Sequence, residues 1–460
     1  MLESLVDEAV DAVPILPIKE AEAADLTQVT NPRWRRWAEA NGFKGKAGQS
    51  CLLPGPDGEL EGVLAGYDPG DLPWSLAALA TELPAGRYRL KGSLDPLSAG
   101  QCALGWALAA YVFERYKTQT RARAELVLPP GVDRGELLRQ VNAVYLVRDL
   151  INTPAEDLGP SALAATAAEI GKTYGARVES WVGDALLAEN FPLVHTVGRA
   201  AADRPRLLVL RWGDSGRHLA LVGKGVTFDS GGLDIKPAEG MKLMKKDMGG
   251  AAHALALARL IMDADLPLRL TLVLPLVENA IAGNAFRPLD VLKARDGTTV
   301  EVGNTDAEGR LILADAMSYA AEEKPDLLLD FATLTGAARV ALGAEVPALF
   351  SNDEAVAESW LAAGRRLGDP LWRLPLHEGY RRHLESRVAA IHSTGEVGLG
   401  GAITAALFLQ HFLPKSLPWA HLDLMAYNTS ARPGRPIGGE AMALRAAYAM
   451  VKAWCKAEDD

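Results

Sequence analysis

Cysteine is scarce in this chain, with three among 460 residues, at positions 51, 102 and 455. An odd, scattered set of this kind builds neither a disulfide framework nor a Cys-x-x-Cys metal knuckle, which fits a reducing compartment. Histidine is also thin, at eight residues, and none stands in a histidine-rich metal motif. Long apolar runs are missing: stretches such as Leu270–Val277 fall far short of the ~20 residues that span a bilayer. A basic surplus is missing too. Forty-eight basic against fifty-eight acidic side chains leave a net charge of −10, which disfavours nucleic acid or an anionic membrane as the main partner. The first residues carry Glu3, Asp7, Glu8 and Asp11 where a signal peptide needs positive charge, so a cytoplasmic location is expected. What is present is an ordinary globular composition, 49% hydrophobic and 23% charged. That excludes a disordered chain, and the length favours two domains.

The pattern along the chain changes near residue 150. The first part reads as a small α/β unit with short strands at Ala12–Ile18, Leu60–Gly66 and Tyr88–Lys91, a helix at Ala103–Tyr116 and a strand at Glu125–Leu128. A long helical pattern over Glu136–Ile151 follows. Beyond it, short apolar runs (Leu207–Leu210, Leu219–Val222, Leu270–Leu274, Leu327–Phe331) alternate with amphipathic helices (Ser161–Tyr174, Gly250–Asp263, Leu311–Glu322, Ala402–Phe412). Strands without polar alternation are buried on both faces, and helices between them imply parallel crossovers. The expected fold is α/β: a mostly parallel, mixed sheet flanked by helices in a large C-terminal domain, preceded by a smaller α/β domain. The expected segments are 1–130, a connecting helix and linker at 131–155, and a catalytic domain at 156–460.

In such sheets chemistry collects outside the carboxyl ends of the strands. Two loops there are unusually polar. One, Leu221 to Gly250, delivers Lys224, Asp229, Lys236 and Asp247 among glycines 223, 225, 231, 232, 249 and 250. The other, Asn304 to Met317, carries Asp306, Glu308 and Arg310 at alternate positions, which an extended segment would turn to one side. Any one of these could be a cap or a solvated surface charge. Ser230 is no nucleophile by pattern, because Gly-x-Ser-x-Gly is absent, and the glycines around Lys224 lack the rest of a phosphate loop. Four carboxylates in two glycine-rich loops instead suggest hard oxygen ligands for divalent ions. Their −4 charge balances two such ions, a pair that serves hydrolysis by activating water and clamping a polarised oxygen. Two-metal phosphoester hydrolysis uses the same kind of cluster and stays open at this point.

The blocks GKGVTFDSGGLDIKP, KKDMGGAA, NTDAEGRL and ATLTGA, in this order and spacing, closely resemble the leucyl aminopeptidase (cytosol aminopeptidase) family of two-metal metallopeptidases. The resemblance covers about residues 145–450, and the first third shows no motif that matches. It implies that Asp229 and Glu308 bridge two metals, that Lys224 and Asp247 complete one site, and that Asp306 completes the other. Lys236 is then the catalytic lysine, and Arg310 the catalytic arginine, which would hold a bicarbonate ion through its bidentate fork. Met244, Thr333 and Gly336 would line the pocket for the first side chain, with Leu334 offering a backbone carbonyl. The implied ions are Mn²⁺ or Zn²⁺, with Mg²⁺ or Co²⁺ as further candidates. The implied activity is removal of single N-terminal residues from peptides with a free N-terminus, in a homohexamer. Met425, Tyr427 and Asn428 depart from the leucine-preferring pattern, so leucine preference is not implied. Met244 and the Thr333–Gly336 stretch lead one to expect apolar first residues. A non-enzymatic DNA-binding or chaperone-like scaffold is the competing reading, and the acidity and the complete set of site residues weigh against it. His421 and His253 read as structural.

Overall fold

The computed structural model describes residues 4–456 except 24, 25, 27, 28, 93, 119–122, 396 and 397. It divides into two compact units, one made of Met1–Tyr145 with Thr429–Ile437, the other of Leu146–Asn428 with Gly438–Asp460. The division falls inside a helix, Arg134–Asn152, that the periodicity predicted over Glu136–Ile151.

The larger unit is built on a nine-stranded mixed sheet. Its order from one edge is Trp372–Arg373, Ala348–Ser351, Trp419–Asp423, Leu327–Ala332, Arg217–Gly223, Leu268–Asn279, Arg206–Trp212 and Arg177–Val182, with Gly225–Asp229 also paired to Leu268–Asn279. The four central strands, from Trp419–Asp423 to Leu268–Asn279, run parallel, and antiparallel partners flank them on either side. Leu327–Ala332 (LLLDFA) is buried at every position, as an unalternating apolar run requires. Helices cover the sheet. Leu311, Ile312 and Leu313 of helix Glu308–Glu322 share a core with Ala220 and Val222, and with residues of helices Pro192–Gly198 and Gly401–His411. Helix Gly249–Asp263 packs on strands Arg217–Gly223 and Leu327–Ala332 and against helix Leu444–Trp454. Its first turn lies so close to the sheet that a Cβ on Gly250 would meet the Phe331 carbonyl oxygen at 2.1 Å. Only glycine fits there.

The parallel arrangement decides where the loops go. Phe331 is in register with Gly223, and Ala332 with Asp423, so the segments leaving these strands emerge together at one end of the sheet. Chain direction reverses nothing at Lys224. The chain passes it and resumes as Gly225–Asp229, with Asp229 paired to Asn279 at the end of the longest strand.

The smaller unit holds a six-stranded sheet in the order Leu5–Val6, Ala124–Val127, Gly86–Leu90, Val13–Ile18, Leu60–Gly66, Ser50–Pro54, parallel except for the last pair. One helix differs from the expected Ala103–Tyr116. It spans Pro96–Ala109, because Asp95 caps it by accepting from the backbone N–H of Leu97 (3.0 Å) and Ser98 (3.1 Å) with Pro96 in the first turn. The apolar periodicity runs past the helix end because Tyr111 packs edge-on against Tyr145, with centroids 4.9 Å apart.

Candidate active site

Lys224 follows strand Arg217–Gly223 directly and is 3% exposed. Its backbone N–H donates to the Phe331 carbonyl (3.0 Å) and its carbonyl accepts from Ala251 (2.7 Å), so strand and helix both fix it. The side chain runs over Gly309, where a Cβ would sit 2.4 Å from Lys224 Cε. Its ammonium donates to the Thr333 carbonyl (2.8 Å) and lies 2.8 Å from Asp247 Oδ2 and 2.9 Å from Glu308 Oε1. Burial disfavours that charge, but Asp247, Glu308 and Asp229 outweigh it and raise the lysine above its ordinary range. Lys236 stands between Asp229, at 2.8 Å, and Asp306, and the same two carboxylates raise it against a burial penalty.

The carboxylates come from four elements. Asp229 ends its strand and accepts from Gly231 N–H (2.9 Å) and the Asn279 amide (2.8 Å). Asp247 lies in the 3-10 turn Met244–Met248 and accepts from Thr333 Oγ1 at 2.8 Å. Asp306 and Glu308 lie around the start of helix Glu308–Glu322. Here the expected extended segment is not found. Asn304 accepts from Asp306 N–H (2.7 Å) and folds Thr305–Ala307 into a 3-10 turn that runs straight into the helix. Convergence therefore comes from a capped first turn and not from strand alternation. Ligand-capable oxygens of Asp229, Asp306 and Glu308 all lie within 4.8 Å of one another.

Such crowding leaves its mark on ionisation. Burial and the neighbouring Asp229 push Glu308 well above the usual carboxylate range and Asp306 up to about 6. Asp229 resists a burial penalty and stays low because Lys236 and Lys224 face it. The set fits divalent cations. Glu308 is 1% exposed and neither of its oxygens has a hydrogen-bond partner, and the same holds for Asp247 Oδ2 and Asp306 Oδ1. The lysine ammoniums reach three of these four oxygens at ion-pair distance without hydrogen-bond direction, so they stand where cations belong. Buried carboxylate oxygens in that condition call for positive charge.

A cavity of about 560 Å³ opens in front of this cluster. Its wall includes Lys224, Asp229, Lys236, Asp247 and Asp306, and beside them Met244, Thr333, Leu334 and Gly336. Glu308 and Arg310 are not on the wall. Arg310 is 7% exposed, donates to the Ser393 carbonyl (2.6 Å), and leaves Nε without a partner. Burial lowers its guanidinium to about 10 despite the nearby Glu308 and Asp423. The two histidines stay out of the cluster. His253 uses both ring nitrogens on backbone, Nδ1 toward the Gly249 carbonyl (2.6 Å) and Nε2 toward Met442 N–H (2.9 Å). His421 Nδ1 lies 2.6 Å from Asp330 on the neighbouring strand.

Sequence reading missed the support around these groups. Asn279 ties Asp229 to the Thr305 carbonyl (3.1 Å), and Thr305 Oγ1 donates to the Gly231 carbonyl (2.6 Å), which joins the two polar loops. A polar residue closing the apolar run LRLTLVLPLVEN was the available signal for Asn279. Asp423 accepts from Leu334 N–H (3.0 Å), Thr335 N–H (3.2 Å) and Thr335 Oγ1 (2.6 Å), and so holds the loop that carries Thr333 and Leu334.

Comparison with known proteins places this geometry in a family. Residues 145–447 match the model of the cytosol aminopeptidase family, catalytic domain, and residues 13–129 match that of the M17 aminopeptidase, N-terminal domain. The smaller unit, in which no motif was legible, is thereby accounted for. A probable cytosol aminopeptidase of Leifsonia xyli subsp. xyli is 39% identical over 427 residues, 87% of this chain and 85% of that protein. The crystal structure of a cytosol aminopeptidase from Coxiella burnetii superposes with a TM-score of 0.95 at 45% identity, covering 98% of this chain and all of that one. The bottromycin maturation enzyme BotP in complex with Mn gives 0.88 at 35% identity, covering 97% of this chain and all of its own. Two matched domains, the carboxylate cluster and the relatives agree: the chain belongs to the cytosol aminopeptidase family and is a metallo-aminopeptidase, a hydrolase acting on peptides.

Proposed function

We propose that this enzyme removes single N-terminal residues from peptides at a dinuclear metal site. Asp229, Glu308, Lys224, Asp247 and Asp306 would hold the two ions, Asp229 and Glu308 shared between them, Lys224 and Asp247 serving one and Asp306 the other. The observation that carries this reading is the Glu308 carboxylate, buried with neither oxygen hydrogen-bonded, in a set of ligand oxygens spanning 4.8 Å. Mn²⁺ or Zn²⁺ are the favoured occupants, with Mg²⁺ or Co²⁺ next. When bound, divalent ions supply Lewis-acid polarisation of the scissile carbonyl and lower the pKa of water enough for attack near neutral pH.

The chain's own groups do the rest. Lys224 would serve as a ligand in its free-amine form, the only form with a lone pair. Lys236 keeps its proton. It lies on the cavity wall, and once Asp229 and Asp306 turn to other cations its ammonium is free to donate to a carbonyl oxygen that gains charge. Arg310 would hold a bicarbonate ion, a group that supplies proton-transfer capacity where no histidine joins the cluster. The Leu334 carbonyl orients the peptide, and Met244, Thr333 and Gly336 contact the first side chain. A free α-amine would fit the acidic cluster where an acylated nitrogen would not, which would limit cleavage to the amino end.

The working form is a homohexamer in the cytoplasm, with residues 131–155 joining a 1–130 domain to the catalytic 156–460 domain. The mechanism is tested by incubating the Mn²⁺-loaded enzyme with a tripeptide amide and its N-acetyl form and following products by mass spectrometry. Loss of one residue at a time from the free peptide, and none from the acetylated one, is expected. Cleavage of the acetylated peptide, or release from the carboxyl end, contradicts it.

A further inference from the structure

Three lysines border the site, and two are paired. Lys224 and Lys236 hold the carboxylates, and Lys245, just off the wall, donates to the Asn152 carbonyl at 2.6 Å. The third lysine on the wall, Lys246, is 6% exposed, yet its ammonium makes no hydrogen bond or ion pair with the described residues. The carboxylates that could satisfy it are engaged elsewhere. Asp247 is taken by Lys224 and Thr333, and Asp423 by Leu334 and Thr335. Arg339 adds a second positive charge to the same wall, and Glu239 is the exposed countercharge at its edge. Lys246 therefore lines the cavity without a direct partner for its ammonium, and a substrate that brings an anion would supply one.

We infer that Lys246 is a specificity-determining residue that pairs with a carboxylate of the substrate, so that the enzyme accepts aspartate or glutamate as the first residue. This rests on the N-terminal release proposed above. The position within the site follows from the chain: Lys246 shares the turn Met244–Met248 with Met244 and the cavity with Thr333 and Gly336, the residues assigned to the first side chain. The apolar preference expected from Met244 and Thr333–Gly336 alone is thereby widened to anionic side chains. A neutral isostere leaves the ammonium unpaired, which is the kind of contact that discriminates strongly.

The test uses the Mn²⁺-loaded full-length enzyme as wild type, Lys246→Met and Lys246→Arg. Substrates are X-Ala-Ala amides with X glutamate, glutamine or leucine, together with Leu-Ala and its amide. The readout is the ratio of kcat/KM for glutamate over glutamine within each protein, which cancels any loss of folded or loaded enzyme. Lys246→Met should lower that ratio by roughly 10- to 100-fold, chiefly through KM, and Lys246→Arg should keep most of it. An unchanged ratio with leucine substrates still cleaved overturns the role of Lys246 alone. A shift confined to Leu-Ala against its amide assigns the carboxylate to the peptide terminus and overturns the first-residue claim. No release from any free-amine substrate by wild type overturns both this inference and the reading beneath it.

Discussion

A single buried carboxylate does most to shape this site. Glu308 sits at the first position of its helix, where a negative charge gains from the helix dipole, yet burial and Asp229 oppose its ionisation. Lys224 answers that field from one side and a divalent ion would answer it from the other. The residues around it divide by task, and substitution separates the tasks. If Lys236 donates to the developing oxyanion as proposed, Lys236→Ala should lower kcat by roughly 10²- to 10³-fold with metal content retained. Asp229→Asn should lose metal as well as activity. Elemental analysis of the two variants after identical loading checks this, and equal metal content in both contradicts the division. Legibility at this scale was high for the charged residues and low for their supports. Asp229, Asp306 and Glu308 stood out because carboxylates among glycines have few structural uses. Asn279 and Thr305 did not, because a single polar residue at a strand end has many.

At the scale of elements, what matters is how closely helices approach the strand ends. Gly250 lets helix Gly249–Asp263 touch the backbone of strand Leu327–Ala332, and the Phe331 carbonyl contact leaves no room for a methyl group. Gly250→Ala should therefore destabilise the protein by about 1–3 kcal/mol, with the displaced helix also disturbing Asp247 just before it. Denaturant midpoints and Mn²⁺ affinity of the variant measure the two effects. The same helix carries the clearest pH switch in stability. His253 is fully buried, and burial lowers it to about 4 from an ordinary value near 6.5. Its neutral ring bridges Gly249 and Met442, and a second proton would break the latter bond. The unfolded chain binds that proton more readily, so the stabilisation is present above about pH 6.5 and is lost as pH falls toward 4, by up to about 3 kcal/mol. The difference in unfolding free energy between wild type and His253→Gln, followed from pH 7 to pH 5, should shrink as pH falls. A difference that stays constant contradicts the buried neutral ring.

Element type was readable where periodicity was strong, and the buried parallel strands and the helices between them lie within a few residues of their expected places. The exceptions have local causes. Asp95 and Pro96 start a helix seven residues before the apolar pattern suggested, and Asn304 coils a segment that alternation of charges made look extended. Both are capping effects, in which one side-chain oxygen outweighs the pattern that follows.

For the whole molecule, the sheet order explains why one site is assembled from residues 224 to 423. Parallel central strands send the loops that leave their carboxyl ends to the same end of the sheet, and the carboxylates and lysines that line the cavity gather there. The smaller unit was recognisable as α/β from its pattern, but its kinship lies in a fold spread over short strands, without a motif dense enough to read. No helix among the described residues is long and apolar enough to cross a membrane. Divalent ions held by the folded cluster would favour the folded state, so chelation should lower the thermal midpoint and metal addition should restore it in a concentration-dependent way. A midpoint insensitive to both would separate the cluster from folding stability.

The most direct test of the account is a stoichiometric titration. Protein stripped by a strong chelator is supplied with Mn²⁺ in increasing equivalents, while bound metal and release of a first residue from a peptide amide are measured on the same samples. The account predicts no activity without metal, two ions bound per chain at saturation, and a Glu308→Gln variant that binds fewer. Full activity in the stripped protein, or saturation at a single ion with full activity, would contradict the dinuclear site.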